Sequence, residues 1–285
     1  MRANHLRPAA VVAGVVFVVA AVAAASAWAG ASKSSVAVPG NSLAATKTDC
    51  PRGTALVSQG FGTKNFAVDG SSSVVVRVDS HRSGRGLESR AVNFSEFDGV
   101  FDAYAYCSKL GKGVEVVRAS KSFRAQTFGT VKARCPSGSH PIGGGFGSPG
   151  FSPTGIQPIA LTSRRQGRAW LVEAIISSAA MRGGQAFGKV AAYAYCVPDA
   201  PKLSVSSRTR TVSPNGLKTI VATCPKGKRA VSGGFDGEIT MAAQPVAGGA
   251  VISRRAKQGR AWKVRAVGVA ETDAQETAYA YCAKR

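Results

Sequence analysis

The stretch "CPKGKRAVSGGF" at Cys224–Phe235 has two counterparts, "CPSGSHPIGGGF" at Cys135–Phe146 and "CPRGTALVSQGF" at Cys50–Phe61. Each reads C-P-x-G, and each sets Gly-Phe at the tenth and eleventh positions after its cysteine without a gap. Two further blocks follow each copy in the same order. One is basic: "SHRSGRGLESRAV" from Ser80, "SRRQGRAWLVEAI" from Ser163 and "SRRAKQGRAWKVRAV" from Ser253. The other is Y-A-Y-C, at Tyr104–Cys107, Tyr193–Cys196 and Tyr279–Cys282, and its copies hold all 6 tyrosines of the chain. Three blocks in one order, three times over, are an internal triplication. The period is roughly 85 to 90 residues, longer than solenoid repeats of about 20 to 50. Each unit is therefore large enough to be a small domain or one sheet of a three-fold fold.

The hydropathy pattern within the units is that of strands. "TIVATCP" alternates Ile220, Ala222 and Cys224 against Thr219, Val221 and Thr223, and "VKARCP" sets Val131, Ala133 and Cys135 opposite Lys132 and Arg134. "WKVRAV" sets Trp262, Val264 and Ala266 against Lys263 and Arg265. Period two with one apolar face marks half-buried antiparallel strands. Pro-x-Gly, Gly-Gly and Pro214-Asn215-Gly216 punctuate them as turns, and no convincing helix is found. The expected fold is all-β: three homologous antiparallel sandwich-like units, each with one disulfide, over residues 30–110, 111–199 and 200–285. A single pseudo-three-fold β-prism is the alternative.

Arg2 and Arg7 precede an uncharged apolar run from Ala9 to Ala25, and the small-residue sequence Ala25-Ser26-Ala27-Trp28-Ala29 follows. Charged start, apolar middle and A-x-A-like end read as a secretory signal peptide over residues 1–29; an uncleaved anchor is the rival, and would be the one membrane contact. The expectation is a secreted or envelope-associated protein, in which disulfides are chemically favoured. Pairing within units joins Cys50 to Cys107, Cys135 to Cys196 and Cys224 to Cys282; a cyclic scheme between units would treat the repeats as evenly. Closing a loop of about 60 residues contributes roughly 3 to 4 kcal/mol by the chain-entropy model. No C-x-x-C spacing exists and only 3 histidines are present, so neither a metal nor a cofactor is expected.

Lys and Arg number 37 against 15 Asp and Glu, a net charge of +22. The second block concentrates that excess: Arg82 and Arg85, then Arg164, Arg165 and Arg168, then Arg254, Arg255, Lys257 and Arg260. A Gly-Arg pair closes each, as in a β-hairpin loop. Such tips keep a protein soluble and protect sheet edges, or they bind an anionic cell-wall polymer, an acidic glycan or another polyanion with salt-sensitive, multivalent attachment. Sequence-specific nucleic-acid reading is not expected, for want of a recognition helix or an RNP setting. Tyr104 and Tyr106, Tyr193 and Tyr195, and Tyr279 and Tyr281 share a strand face opposite the core-facing cysteines. Either a neighbouring unit or loop covers them, with hydroxyls reaching solvent, or they form a stacking platform for sugars.

Other motifs carry less. Gly143–Phe146 and Gly233–Phe235 lack the helix and Lys-Ser/Thr of a phosphate loop, and His81 and His140 stand at non-equivalent places. Glu96 and Asp98 recur as Glu271 and Asp273, where unit two has Gln185 and Phe187; paired acids could serve glycosidase chemistry or calcium, or lie in a solvated loop. Asn93–Ser95 is a glycosylation sequon. The C-P-x-G, G-F, G-R-x-W, Y-x-Y-C unit resembles repeats of uncharacterised exported proteins from high-GC Gram-positive bacteria, which carry no activity to transfer. It also has a weak likeness to vitelline membrane outer layer protein, a three-fold β-prism, although the repeats of that family are shorter and lack Y-A-Y-C. The expected function is non-enzymatic binding of anionic polymer or glycan through the basic turns. A structural or coat protein, or a glycan-active enzyme using the acid pairs, are the alternatives.

Overall fold

The computed structural model describes residues 30–64, 67, 72–152, 155–178, 187–198, 200–237, 250–268 and 272–284, and their side chains except at 111, 112, 178 and 250–258. The expected signal peptide and the side chains of Arg254, Arg255 and Lys257 lie outside these, as do Gln185 and Glu271.

Among the described residues each unit has six strands. Unit one comprises β1 (Ala31–Val38), β2 (Leu43–Thr48), β3 (Ala55–Lys64), β4 (Val75–Ser83), β5 (Gly86–Asn93) and β6 (Gly99–Ser108). Unit two repeats them as β7 (Glu115–Arg124), β8 (Phe128–Arg134), β9 (Ser139–Gly147), β10 (Ile156–Gln166), β11 (Ala169–Ser178) and β12 (Phe187–Pro198). Unit three has β13 (Ser204–Val212), β14 (Leu217–Thr223), β15 (Lys228–Gly237), β16 (Ala250–Gln258), β17 (Ala261–Gly268) and β18 (Ala274–Lys284). A short 3-10 turn, Lys109–Gly113, links units one and two.

In every unit the first, sixth and third strands form one antiparallel half-sheet, and the second, fifth and fourth form another. This is the expected sheet pair. Each half-sheet then continues into a different unit. Sheet I runs β1-β6-β3-β16-β17-β14, sheet II runs β13-β18-β15-β10-β11-β8, and sheet III runs β2-β5-β4-β9-β12-β7. The joins are short: Phe61 pairs with Arg255, Phe235 with Ser163 and Asp236 with Thr162, and Phe146 with Ser80. Thus the third strand of unit one meets unit three, that of unit three meets unit two, and that of unit two meets unit one. The ring closes, so the units are sandwich-like locally while the whole is one pseudo-three-fold prism.

The third strands also approach one another at the centre: Ser232 Oγ of unit three donates to the Ile142 carbonyl of unit two. A Cβ on Gly143 of unit two would lie 2.2 Å from the Val57 carbonyl oxygen of unit one. Phe146 meets Phe235 edge-on at 6.3 Å, and the buried Arg77 guanidinium lies 4.2 Å from the Phe61 ring centre and 4.4 Å from that of Phe146. The Gly-Phe repeat is therefore the centre of the molecule.

The disulfides pair within units, Cys50–Cys107, Cys135–Cys196 and Cys224–Cys282, at sequence separations of 57, 61 and 58. Each half-cystine in Cys135 and Cys224 extends the second strand of its unit, bonded through its N–H to the carbonyl of Arg168 or Arg260. Its partner lies on the sixth strand, which belongs to a different composite sheet. Each bridge thus fastens a corner between two sheets, in keeping with a chain that folds in an oxidising compartment.

Candidate functional site

The basic hairpins join the fourth and fifth strands through two residues, Gly84-Arg85, Gly167-Arg168 and Gly259-Arg260. The glycines take φ of 58°, 58° and 53° while the arginines stay at negative φ, the pattern of a type II′ turn, which demands glycine first. The C-P-x-G segment forms a second turn beside it, its glycine at φ near 80° and the next N–H bonded back to the proline carbonyl. Both turns stand where the third strand begins and the fourth ends. Because equivalent points of a three-fold ring lie at one level along its axis, all six turns share one end of the prism.

That end is cationic, but its arginines are not equally available. Arg52, Arg85, Lys226 and Arg260 are exposed, and Arg82, Arg165, Arg168 and Lys228 are half-buried. Arg82 and Arg165 fold onto their own turns, Nε donating to the carbonyls of Gly84 at 2.9 Å and Gly167 at 3.1 Å. Burial lowers the pKa of both, opposed by Tyr195 and Tyr281 respectively; a guanidinium stays charged regardless. Arg168 and Arg260 donate to the carbonyls of Cys135 and Cys224, tying hairpin to C-P-x-G turn. Arg164 is withdrawn from the end altogether: its Nε lies 2.8 Å from Asp236 Oδ2 and its guanidinium 5.8 Å from the Tyr279 ring. In unit three the two extra residues change the register. Counting from the turn, Arg255 takes the place of Ser163 and Lys257 that of Arg165. The nine cations therefore do not occupy one repeated position.

Four of the six tyrosines are covered, the first of the two arrangements expected for them. Tyr106, Tyr195 and Tyr281 are 6%, 0% and 2% exposed, and Tyr193 is 8% exposed. The neighbouring unit covers them, and the hydroxyls do not simply reach solvent. Tyr106 meets Trp262 of unit three edge-on at 5.7 Å, and Tyr281 meets Trp170 of unit two at 5.9 Å. Tyr281 Oη accepts a 2.6 Å hydrogen bond from the Arg165 main chain. Burial pushes the Tyr195 hydroxyl far above its usual range. These rings fill the seams between units and offer no ligand platform. Tyr104 and Tyr279 are half-buried.

A set of residues that sequence reasoning passed over surrounds the first tyrosines. One transverse row crosses each composite sheet. In sheet II it reads Thr209, Thr277, Asp236, Thr162 and Glu173. The matching rows are Ser35, Asp102, Gly62, Arg254 and Arg265 in sheet I, and Ser120, Ala191, Gly147, Asp79 and Arg90 in sheet III. Every row carries an aspartate, each from a different strand of its unit. Asp236 accepts from Thr162 at 2.7 Å and Tyr279 at 3.3 Å. Asp102 accepts from Ser35 at 2.6 Å, Tyr104 at 3.4 Å and Lys33 at 3.0 Å. Burial alone would raise the Asp102 pKa, yet the Ser35 and Lys33 partners hold it below the usual range. Asp79 lies 2.8 Å from His81 and 3.3 Å from Arg90, and His81 stacks on Tyr193 with centres 4.7 Å apart. The spacing Asp102-x-Tyr104 was a readable clue, two residues apart on one strand face.

The acids singled out beforehand sit elsewhere. Glu96, Asp98 and Asp273 are exposed in loops at the opposite end, and Asp98 accepts from the Gly40 N–H at 3.1 Å. The sequon asparagine, Asn93, is 1% exposed, donates to the carbonyls of Val38 and Phe97, and accepts from Val74 and Ser95. Its amide is committed to the fold. Among the described residues no group of three His, Cys, Asp or Glu side chains is placed to hold a metal ion. The chain matches no protein-family model and no curated protein in sequence.

Proposed function

We propose that this is an exported, non-enzymatic binding protein that attaches to an anionic polymer, of cell-wall or acidic-glycan type, through the turn-bearing end of the prism. The observation that supports this reading is the gathering of three hairpin turns and three C-P-x-G turns at one end, with Arg52, Arg85, Lys226 and Arg260 exposed there. Charges set around an axis address a flexible polyanion at several points at once, and multivalent contact converts weak individual pairs into useful avidity. Each exposed pair alone is worth little and is screened by salt. The disulfides suit an extracytoplasmic setting.

The test holds net charge constant and moves its location. One variant carries Arg52→Ser, Arg85→Ser and Lys226→Ser at the turn end. Its control carries Lys64→Ser, Arg124→Ser and Lys218→Ser, at or near the other end of the strands. On heparin and on anionic cell-wall polymer, the turn-end variant should elute at clearly lower salt than the control. Equal elution of the two would reduce the interaction to bulk charge and defeat the proposal.

A further inference from the structure

Sheet II carries a cleft of about 470 Å³ on its outer face. Phe128, Glu173, Thr209, Asp236, Gln275 and Thr277 line it, one or two residues from nearly every strand. The three-fold repeat supplies an internal comparison. At the place of Glu173 the other two sheets have arginine, Arg265 in sheet I and Arg90 in sheet III. Arg90 bridges Asp79 at 3.3 Å and the Ser148 carbonyl at 3.2 Å, closing its row with a charge-assisted clamp. In sheet II the place of Asp79 is taken by Thr162 and that of Arg90 by Glu173, so this pair of strands carries no such ion pair. Asp236 is held by Arg164 and Thr162 of β10, the strand between it and Glu173, and Glu173 is left half-buried at the cleft wall.

The wall chemistry is specific. Two carboxylates accept hydrogen bonds, the Thr209 and Thr277 hydroxyls, 2.8 Å apart, donate or accept, and the Gln275 amide does both. Phe128 supplies an apolar ring at one edge. We infer that this cleft binds an uncharged oligosaccharide. Its hydroxyls donate to Glu173 and Asp236, and the flat apolar face of a ring lies on Phe128. Asp236 is already neutralised by Arg164, so the site holds one free negative charge and suits a polyol better than a dication. It lies on a sheet face, away from the turn-bearing end, and does not depend on the polyanion reading.

The test is a titration of the full exported chain, followed by 1H–15N NMR, with cellotriose and chitotriose as probes and butylamine as a cationic control. Saturable shifts of the Thr209, Gln275 and Thr277 amides are expected with a trisaccharide. Glu173→Arg copies the residue that the other two sheets carry, so it should keep the fold. It should weaken binding roughly tenfold or more through loss of a charged acceptor. Thr209→Val, at an exposed strand position, is the second variant and should weaken binding as well. Cleft amides that ignore both trisaccharides, that respond to butylamine alone, or that respond equally in wild type and both variants would overturn the assignment. Loss of heparin retention in the turn-end variant would leave this titration unchanged, so the two readings fail separately.

Discussion

Gly144 and Gly233 lack side chains because tryptophans occupy the space. A Cβ there would lie 2.3 Å from the Trp170 ring and 2.2 Å from that of Trp262. In unit one the tryptophan position is Leu87, and the glycine position is Gln59, fully buried. Gln59 donates to the carbonyls of Ser80 and Gly144 and accepts from Ser80 Oγ at 2.6 Å, where Ser163 Oγ accepts from the Trp170 indole at 3.0 Å in unit two. Volume and hydrogen bonding have been exchanged together. Leu87→Trp alone should overpack and cost about 1 to 3 kcal/mol, and Gln59→Gly alone should cost about 2 kcal/mol or more through a cavity and lost bonds. The double variant should recover at least about 1 kcal/mol in a denaturant double-mutant cycle; additive losses would refute the exchange. Glu276 poses the opposite case. It is fully buried with no hydrogen-bond partner among the described residues, and burial, then the Asp236 charge, push its pKa well above the ordinary range. Above about pH 4.5 the unfolded chain releases a proton that the folded chain keeps, so stability falls as pH rises until the folded group ionises. Glu276→Gln should remove that slope, its melting temperature gaining on wild type between pH 5 and pH 8. In free energy the gain approaches about 1.4 kcal/mol per pH unit within the window. A pH-independent difference would show that Glu276 does not titrate across the transition.

At the level of the element, strands and turns were plain in the sequence because alternation and glycine position are local properties. Val131, Ala133 and Cys135 face inward as their spacing implied, at 5%, 0% and 1% exposure. The seams were not legible, because each rests on one or two register pairs, such as Ser80 with Phe146, that no local pattern announces. The aspartates of the three rows escaped notice for a related reason: Asp102, Asp79 and Asp236 come from the sixth, fourth and third strands of their units. They align in space without aligning in the repeat. The disulfides make a further test at this scale, since each fastens a corner between sheets. Replacing Cys135 and Cys196 together by alanine should cost about 2 to 5 kcal/mol, with exchange of amide hydrogens accelerated first along β8 and β12. Uniform acceleration through all three sheets would mean that the corner bridge does not act locally.

For the whole molecule, interlocking explains why the second tyrosine of each Y-A-Y-C block stands beside a cysteine. On the sixth strand the cysteine faces its own unit, while the second tyrosine of the pair closes against the next, as Tyr106 does on Trp262 and Tyr281 on Trp170. A single unit cannot cover both faces of that strand. The ring also assembles the turn-bearing end, which none of the units possesses alone. The most direct test is to produce unit two by itself, residues 111–199 with its disulfide formed, and record its NMR spectrum and thermal unfolding at low concentration. An interlocked ring predicts a chain without a dispersed spectrum or a cooperative transition, because Tyr195 and the edges of β9 and β10 lose their cover. A monomeric, well-dispersed unit that melts cooperatively would contradict it, and would make the three units independent domains joined in series.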